Sequence, residues 1–136
     1  MKVALRLDGN GRLKGLPRLV ILESRFSAIK RFTDEQNLAY ARACLLDSLA
    51  RGEAPIMANL LYDPAFWLDE TLRADSFLAA ATATAWRRAA DFTVFYEDHG
   101  TSSAMRKARH WIYEKGFKSR SRYLGPPWSK HARSVN

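Results

Sequence analysis

Short apolar segments alternate along the chain with segments of helical character, and this alternation constrains the fold more than any other feature. The clearest strand is the continuous apolar run at residues 19–22, which is typical of a strand covered on both faces. Residues 54–61 and 91–96 have the same character, and residues 117–124 predict a more polar edge strand. Strands and helices in alternation, with short connections, predict a parallel sheet with right-handed crossovers.

Three helices are predicted between and after these strands. Residues 33–36 have the Thr-x-x-Gln form of a capping box, which predicts a helix over residues 34–51. Residues 71–90 are rich in Ala and Leu and lack Gly and Pro, so they predict a second helix. A Thr-Ser cap and a following glycine predict a third helix within residues 101–115.

Each helix is expected to bury one stripe of its surface against the sheet. In the first helix the predicted stripe is Leu38, Ala41, Leu45 and Leu49. In the second helix it is Phe77, Ala81 and Ala85, with Leu78 and Trp86 as further candidates. In the third helix it is Met105, Ala108, Trp111 and Ile112.

These elements predict a small three-layer α/β sandwich, in which a mainly parallel sheet of four or five strands is flanked by helices. A chain of 136 residues fits a single domain. We expect that domain to span residues 1–124, with residues 1–17 as an N-terminal hairpin or edge strand. Residues 125–136 are expected to form a basic, irregular tail.

Composition and patterning exclude several classes of protein. No apolar run approaches the roughly 20 residues of a membrane span, and the first residues do not resemble a signal peptide, so we expect a cytoplasmic protein without a membrane partner. Cys44 is the only cysteine, which excludes an intrachain disulfide and favours a buried structural thiol. The three histidines lack helical pairing, so neither a metal nor another cofactor is expected.

Positive charge is concentrated at the C-terminal end of the chain. Residues 1–105 contain 13 basic and 13 acidic side chains, whereas residues 106–136 contain nine basic side chains and one acidic one. The residues predicted to form a basic surface are Arg106, Lys107, Arg109, Lys118, Arg120 and Arg122. Such a surface attracts nucleic acid or an acidic host protein, although a solvated surface without a partner has the same pattern.

Parallel sheets bind ligands outside the carboxyl ends of their strands. The loops at those ends are Glu23–Arg31, Asn59–Asp69 and Glu97–Ser103. In the last of these loops a glycine permits close backbone approach, and amides at the start of the following helix attract an anion or a sugar oxygen. A simple turn followed by a helix cap is the alternative reading of the same residues.

The segments Glu23-Ser24-Arg25-Phe26 and Asp98-His99-Gly100-Thr101, with Asn37 between them, resemble the nucleoside 2-deoxyribosyltransferase-like superfamily and its small, often phage-encoded relatives of unassigned function. In that family a strand is followed by a loop for the sugar or phosphate, a helix carries an Asn, and an Asp-x-Gly-Thr turn opens a later helix. The resemblance covers roughly residues 18–124. It implies a nucleoside- or nucleotide-like ligand and a homo-oligomer in which subunits complete each other's pockets.

The resemblance and the positions of the loops together give a set of candidate ligand-binding residues. They are Ser24, Arg25, Asn37, Asn59, Tyr96, Gly100, Thr101 and Ser102. Aromatic rings can stack on a base, but an aromatic residue within a strand more often packs in the core, and both readings stay open for Tyr96.

One position departs from the family pattern. The transferases use a Glu three residues after the Thr of the turn as their nucleophile, and this chain has Ala104 there. Because a methyl group cannot form a glycosyl-enzyme intermediate, we expect ligand binding without the family's transfer reaction. A phage-type role that sequesters or processes a host nucleotide signal, and so opposes host defence, fits that expectation.

Two other functions stay open. Glu23, Glu97 and Asp98 could converge over the crevice, and a hydrolase of N-glycosidic bonds would use Glu23 or Asp98. An acidic residue at a strand end, however, often only pairs with an arginine such as Arg25. His99 could act as a base, but a lone loop histidine is more often exposed. The third function is an interaction protein that uses the basic C-terminal surface.

Overall fold

The computed structural model describes residues 9–10, 15–25, 34–57 and 76–135. The hairpin predicted for residues 1–17 lies largely outside these ranges, which include only a turn at residues 9–10 and the segment from residue 15 onward. The predicted ligand loop Asn59–Asp69 lies outside them altogether.

Four strands and three helices alternate in the described part of the chain. They are β1 (Leu19–Glu23), α1 (Asp34–Ala50), β2 (Ala54–Ile56), α2 (Ser76–Ala89), β3 (Phe92–Tyr96), α3 (Ser103–Glu114) and β4 (Ser119–Arg122). Each predicted strand from residue 19 onward is present, and each predicted helix overlaps an observed one. The alternation of apolar and helical segments therefore predicted the order of elements correctly.

All four strands are parallel and lie in the order β2-β1-β3-β4. Ile21 of β1 is aligned with Ile56 of β2 on one side and with Thr93 of β3 on the other. The chain therefore moves to one side of β1 to make β2 and then crosses back to make β3. Right-handed crossovers place α1 on one face of the sheet and α2 and α3 on the other, which gives the predicted three layers.

The face of the sheet toward α1 carries the larger apolar core. Val20, Leu22 and Val94 pack there against Tyr40 and Cys44 of α1. Cys44 is fully buried, as predicted for a structural thiol, and burial raises its pKa so that the thiol stays protonated.

The opposite face carries a smaller core beneath α3. Phe95 packs there against Met105, Ala108 and Ile112, and Trp111 lies half-buried at its border. This is the stripe predicted for the third helix. The helix begins at the predicted cap, because the Ser102 Oγ accepts a hydrogen bond of 3.1 Å from the Met105 amide.

The buried face of α1 differs from the predicted leucine stripe. Ala41 is buried, but Leu38 and Leu45 are only half-buried and Leu49 is exposed. The buried positions of α1 are Asn37, Tyr40, Ala41, Cys44, Asp47 and Ser48. The prediction was wrong because it counted only apolar residues, whereas polar side chains on this face find partners within the fold. The Ser48 Oγ, for example, donates to the Glu53 Oε1 at 2.7 Å.

The predicted inner face of α2 is also partly wrong. Ala81 and Ala85 are exposed, whereas Thr82, Trp86 and Arg87 are half-buried. An alanine stripe gains little from burial, so the larger side chains decide which surface of the helix turns inward.

A buried ion pair joins the edge strand β4 to the loop before β2. Arg122 is 1% exposed and donates from both terminal nitrogens to the Glu53 carboxylate, at 2.7 and 2.6 Å. Arg122 therefore does not belong to the exposed basic surface in which the sequence analysis placed it. Burial alone would lower the pKa of Arg122, but the hydrogen bonds with Glu53 and Tyr96 outweigh that effect and raise it, so the guanidinium stays charged.

Tyr96 and Asp47 extend this polar cluster through the core. Tyr96 is fully buried and its hydroxyl donates to the Asp47 Oδ2 at 2.7 Å, so the reading of Tyr96 as a core residue is the one that the structure supports. Arg51 and Arg133 also donate to the Asp47 carboxylate, at 2.8 and 2.6 Å. Burial would raise the pKa of Asp47, but these three hydrogen bonds outweigh it and hold the pKa below its usual value.

The C-terminal segment, residues 123–135, folds back onto the domain. The Tyr123 amide donates to the Ser134 Oγ at 2.7 Å, and the Ser134 amide donates to the Tyr123 carbonyl at 2.9 Å. Arg51 of the α1 C-terminus donates to the Ser134 carbonyl at 2.5 Å. The segment is irregular, as predicted, but hydrogen bonds at several points fix its path.

We predict that Gly125→Ala destabilises the protein through its backbone. Gly125 has φ +78°, and a β-carbon there would lie 2.9 Å from the Arg133 amide nitrogen and 3.0 Å from the His131 carbonyl oxygen. We expect a loss of at least about 3 kcal/mol in the free energy of unfolding, measured by urea denaturation. Gly116→Ala is the matched control, because Gly116 has φ +76° but open space around it, and it should cost only about 1 kcal/mol. Equal losses of unfolding free energy in the two variants would contradict the predicted steric clash at Gly125.

We predict that acid weakens the polar cluster. The pKa values of Asp47 and Glu53 lie below their usual 3.8 and 4.5, so their stabilisation is complete above those values and is lost as the pH falls through the folded-state values. The melting temperature should be nearly constant from neutral pH to about pH 5 and fall steeply below about pH 4. Thermal denaturation followed by circular dichroism measures this profile.

Two variants test the origin of that acid sensitivity. Asp47→Asn should lose about 2 kcal/mol at neutral pH and show a shallower acid limb. Glu114→Gln, at a carboxylate that is 61% exposed, should keep the wild-type profile. If the melting temperature of Asp47→Asn falls with acid as steeply as that of the wild type, the Asp47 carboxylate is not the source of the acid sensitivity.

Candidate ligand crevice

The sheet reverses its direction of growth between β1 and β3. The chain leaves β1 toward α1 on one face, and it leaves β3 toward α3 on the other face. In open parallel sheets, loops that leave toward opposite faces at such a reversal form a ligand crevice at the carboxyl edge, so this edge is the candidate site. We call residues 24–25 the first lip and residues 98–102 the second lip.

The first lip presents polar atoms that lack partners. Ser24 is 2% exposed, and its Oγ makes no hydrogen bond to any residue that the structure describes. The Arg25 Nε is also buried without an acceptor in the described ranges. Buried donors of this kind are rare in folded proteins, and a ligand is one way to satisfy them.

Arg25 crosses from the first lip to the second. Its Nη1 donates to the Thr101 carbonyl at 3.3 Å, and the same carbonyl accepts a hydrogen bond of 3.0 Å from Arg106. Gly100 adopts φ +83°, a conformation that residues with a side chain rarely adopt. The structure thus brings the predicted residues Ser24, Arg25, Gly100 and Thr101 to one place.

The N-terminus of α3 lies at the second lip. Ser102 caps this helix, and its hydroxyl oxygen accepts from the Met105 amide. Amides in the first turn of a helix and the positive end of its dipole favour an anion nearby. Arg25 adds a formal positive charge on the side of the first lip.

Asp98 serves as an anchor for the C-terminal segment. Its Oδ1 accepts from the Tyr40 hydroxyl at 2.7 Å and the Leu124 amide at 2.8 Å. Its Oδ2 accepts from the Gly125 amide at 3.0 Å and the Ser129 hydroxyl at 2.5 Å. Because four hydrogen bonds occupy both carboxylate oxygens, we interpret Asp98 as a structural hydrogen-bond acceptor.

Glu23 lies at the same edge of the sheet as Asp98 but on the opposite face. It is 5% exposed, and its Oε1 accepts from Arg87 of α2 at 2.8 Å. Asp98 is bonded instead to Tyr40 of α1, on the other face. The two carboxylates therefore do not form the facing pair that the sequence analysis considered, and the arginine that pairs with Glu23 is Arg87 rather than Arg25.

Two other predicted ligand residues take different positions. Asn37 is fully buried in the first turns of α1, and Tyr96 lies in the core as described above. Asn59 lies outside the described residues.

An aromatic cluster next to the second lip was not predicted as a unit. The rings of Tyr40 and His99 stack with centroids 4.0 Å apart, and Trp128 lies 5.6 Å from Tyr40. His99 is 9% exposed, so the expectation of an exposed loop histidine was wrong. Burial raises the pKa of Tyr40, with Cys44 and Asp98 adding to the rise, and the hydroxyl stays a donor. No local pattern in the sequence predicted the return of Trp128 to this position.

The residues predicted to form the basic surface divide into three groups. Arg106, Lys107, Lys118 and Arg120 are exposed, and Arg120 lies 4.1 Å above the Phe92 ring. Arg109 is half-buried, pairs with Glu97 and Ser121, and lies over the Phe95 ring. Arg122 is in the core.

Neither a metal-binding cluster nor a membrane-spanning helix is present among the described residues. No group of three or more His, Cys, Asp or Glu side chains there could hold a metal ion. No helix there is both long enough and apolar enough to cross a bilayer.

These features define the chain as a small parallel α/β protein with polar side chains at the carboxyl edge where its sheet reverses. A family profile described as a domain of unknown function, DUF7768, matches residues 18–122, and the chain belongs to that family. Comparison with curated proteins and with solved structures gave no significant match. The matched range includes every strand and both lips, whereas the C-terminal segment lies beyond it.

We predict that Asp98→Asn releases the C-terminal segment. The amide nitrogen of Asn would face donors that now bond to a carboxylate, so we expect a loss of about 2–3 kcal/mol in the free energy of unfolding. Cleavage by trypsin after Lys130 should become faster, as followed by mass spectrometry. Asp91→Asn is the control, because the Asp91 carboxylate accepts one exposed hydrogen bond from the Leu19 amide and does not contact this segment. Unchanged stability and unchanged cleavage in Asp98→Asn would contradict the anchoring role.

Proposed function

We propose that this chain binds a nucleoside or nucleotide derivative in the crevice between the carboxyl ends of β1 and β3. The observation that carries the proposal is the reversal of a fully parallel sheet at this point, with Ser24 and Arg25 on one lip and Gly100 and Thr101 on the other. Crevices at such reversals are the common ligand sites of open α/β sheets.

The charges around the crevice favour a ligand that carries a phosphate. Arg25 offers a planar guanidinium whose Nε has no acceptor among the described residues. The forked guanidinium group of an arginine matches the oxygens of a phosphate. The N-terminus of α3 lies nearby and also favours negative charge. Ser24 adds a buried hydroxyl that could bond to a sugar or phosphate oxygen.

Binding without group transfer fits the residue at the start of α3. Ala104 is exposed in the first turn of that helix, where the resemblance to the deoxyribosyltransferase-like class implies a nucleophilic Glu. Its methyl group cannot attack an anomeric carbon. Sequestration of a nucleotide signal, as in the phage-type role implied by the resemblance, requires only binding.

Hydrolysis of an N-glycosidic bond is the second candidate. The four hydrogen bonds accepted by Asp98 leave Glu23 as the carboxylate for this reaction, at the end of β1 and beside Ser24. The Arg87 guanidinium lies 2.8 Å from the Glu23 Oε1 and would orient this carboxylate for the role of a general base. Chromatography of incubated nucleosides and nucleotides would detect the free base, and Glu23→Gln should abolish its release.

We predict that calorimetry detects binding of members of a panel of nucleosides, nucleotides and cyclic nucleotides. For a phosphate-bearing ligand, Arg25→Gln should weaken binding by about tenfold or more, because it removes charge-assisted hydrogen bonds worth about 1.5–3 kcal/mol. Arg42→Gln removes the same charge from an exposed position on α1 and should leave affinity unchanged.

Two results would overturn the proposal. One is the absence of binding by the intact protein at millimolar concentrations of every panel member. The other is an equal loss of affinity in Arg25→Gln and Arg42→Gln, which would assign the attraction to net charge rather than to the crevice.

A further inference from the structure

The outward surface of α3 combines basic side chains with a stacked aromatic pair. A shallow depression of about 650 Å³ lies along this helix, and its lining residues are Arg106, Lys107, His110, Trp111, Glu114 and Lys115. We call these residues the α3 surface. It belongs to the side of the sheet that carries α2 and α3, away from α1 and from the C-terminal segment.

Charge on the α3 surface is predominantly positive. Arg106, Lys107 and Lys115 are exposed, and the one carboxylate, Glu114, lies 3.1 Å from the His110 Nε2. Neither lysine side chain makes an ion pair or a hydrogen bond with another residue that the structure describes. The potential at this surface therefore attracts an anion with several separated charges.

The aromatic side chain of Trp111 lines the same depression. The Trp111 ring stacks on Phe117 with centroids 5.6 Å apart and planes 15° apart, and the Phe117 side chain is 37% exposed. Stacked rings with an accessible face bind nucleobases of any sequence, because every base has a π face. The charges alone would also attract an acidic protein, and the exposed ring is the feature that favours a nucleic acid as the occupant.

We propose that the α3 surface binds single-stranded nucleic acid, with Lys107 and Lys115 on the phosphates and the Trp111–Phe117 pair against a base. Helix α3 has 12 residues and is about 18 Å long, which suits a site of a few nucleotides. This activity is independent of the crevice, so either proposal can fail without the other.

Fluorescence anisotropy with a labelled oligothymidylate of about twelve nucleotides tests the proposal. The logarithm of the binding constant should fall linearly with the logarithm of salt concentration, by about 0.7 for each phosphate neutralised. The double variant Lys107→Gln, Lys115→Gln should reduce that slope by about 1.4. Circular dichroism would establish that each variant keeps the wild-type fold.

A control variant that removes the same charge elsewhere distinguishes binding at the α3 surface from attraction by the net charge of the protein. Arg42→Gln with Lys130→Gln removes two exposed positive charges from α1 and the C-terminal segment, and it should leave the salt slope unchanged. Phe117→Leu keeps an apolar side chain but removes the ring, and it should weaken binding about fivefold without changing the slope.

The absence of binding at low salt would overturn the proposal. An equal change of the salt slope in the two double variants, or full affinity in Phe117→Leu, would also overturn it. Polyglutamate distinguishes an acidic protein partner. If polyglutamate of equal charge displaces the oligonucleotide as well as unlabelled oligothymidylate does, the surface recognises charge alone and the proposal is wrong.

Discussion

The pairing of β1 with a parallel neighbour on each side is the constraint on which the rest of the structure depends. Because β1 is covered by β2 and β3 at its edges and by helices on its faces, its side chains from Val20 to Glu23 are all buried. Parallel neighbours cannot be joined by a tight turn, so each connection must cross a face of the sheet as a helix. The reversal between β1 and β3 follows from that arrangement, and the crevice follows from the reversal.

Buried and half-buried carboxylates organise the side of the sheet that α1 covers. Asp98 and Asp47 each accept several hydrogen bonds, and Glu53 accepts both terminal nitrogens of Arg122. Removing charges from water is costly, and the cost is offset only when nearly every donor and acceptor finds a partner. Such a cluster is worth little more than an apolar core in stability, but it tolerates few alternative arrangements. It thereby fixes the rotation of α1 and the path of the C-terminal segment.

The candidate crevice contrasts with this satisfied cluster. Around Asp98 the polar atoms have partners within the chain, whereas Ser24 and part of Arg25 have buried polar atoms that lack them in the described ranges. Local patterns predict the positions of both lips, because each follows the end of an apolar strand and the second includes a glycine before a helix cap. Asp98 was predicted to act on a ligand because a carboxylate at a strand end has the same appearance in the sequence whether it acts on a ligand or holds a distant segment.

The sequence by itself determined the strand order along the chain, the parallel α/β class, a cap for α3 at Thr101 or Ser102 and the burial of Cys44, since these depend on patterns within a few residues. Only the tertiary structure decided the buried face of α1, the place of Arg122 in the core and the return of the C-terminal segment. Each of these depends on partners far apart in the chain, such as Arg122 with Glu53 and Arg133 with Asp47. A local pattern shows that a side chain is polar, but its burial is favourable only when a distant partner compensates the lost hydration.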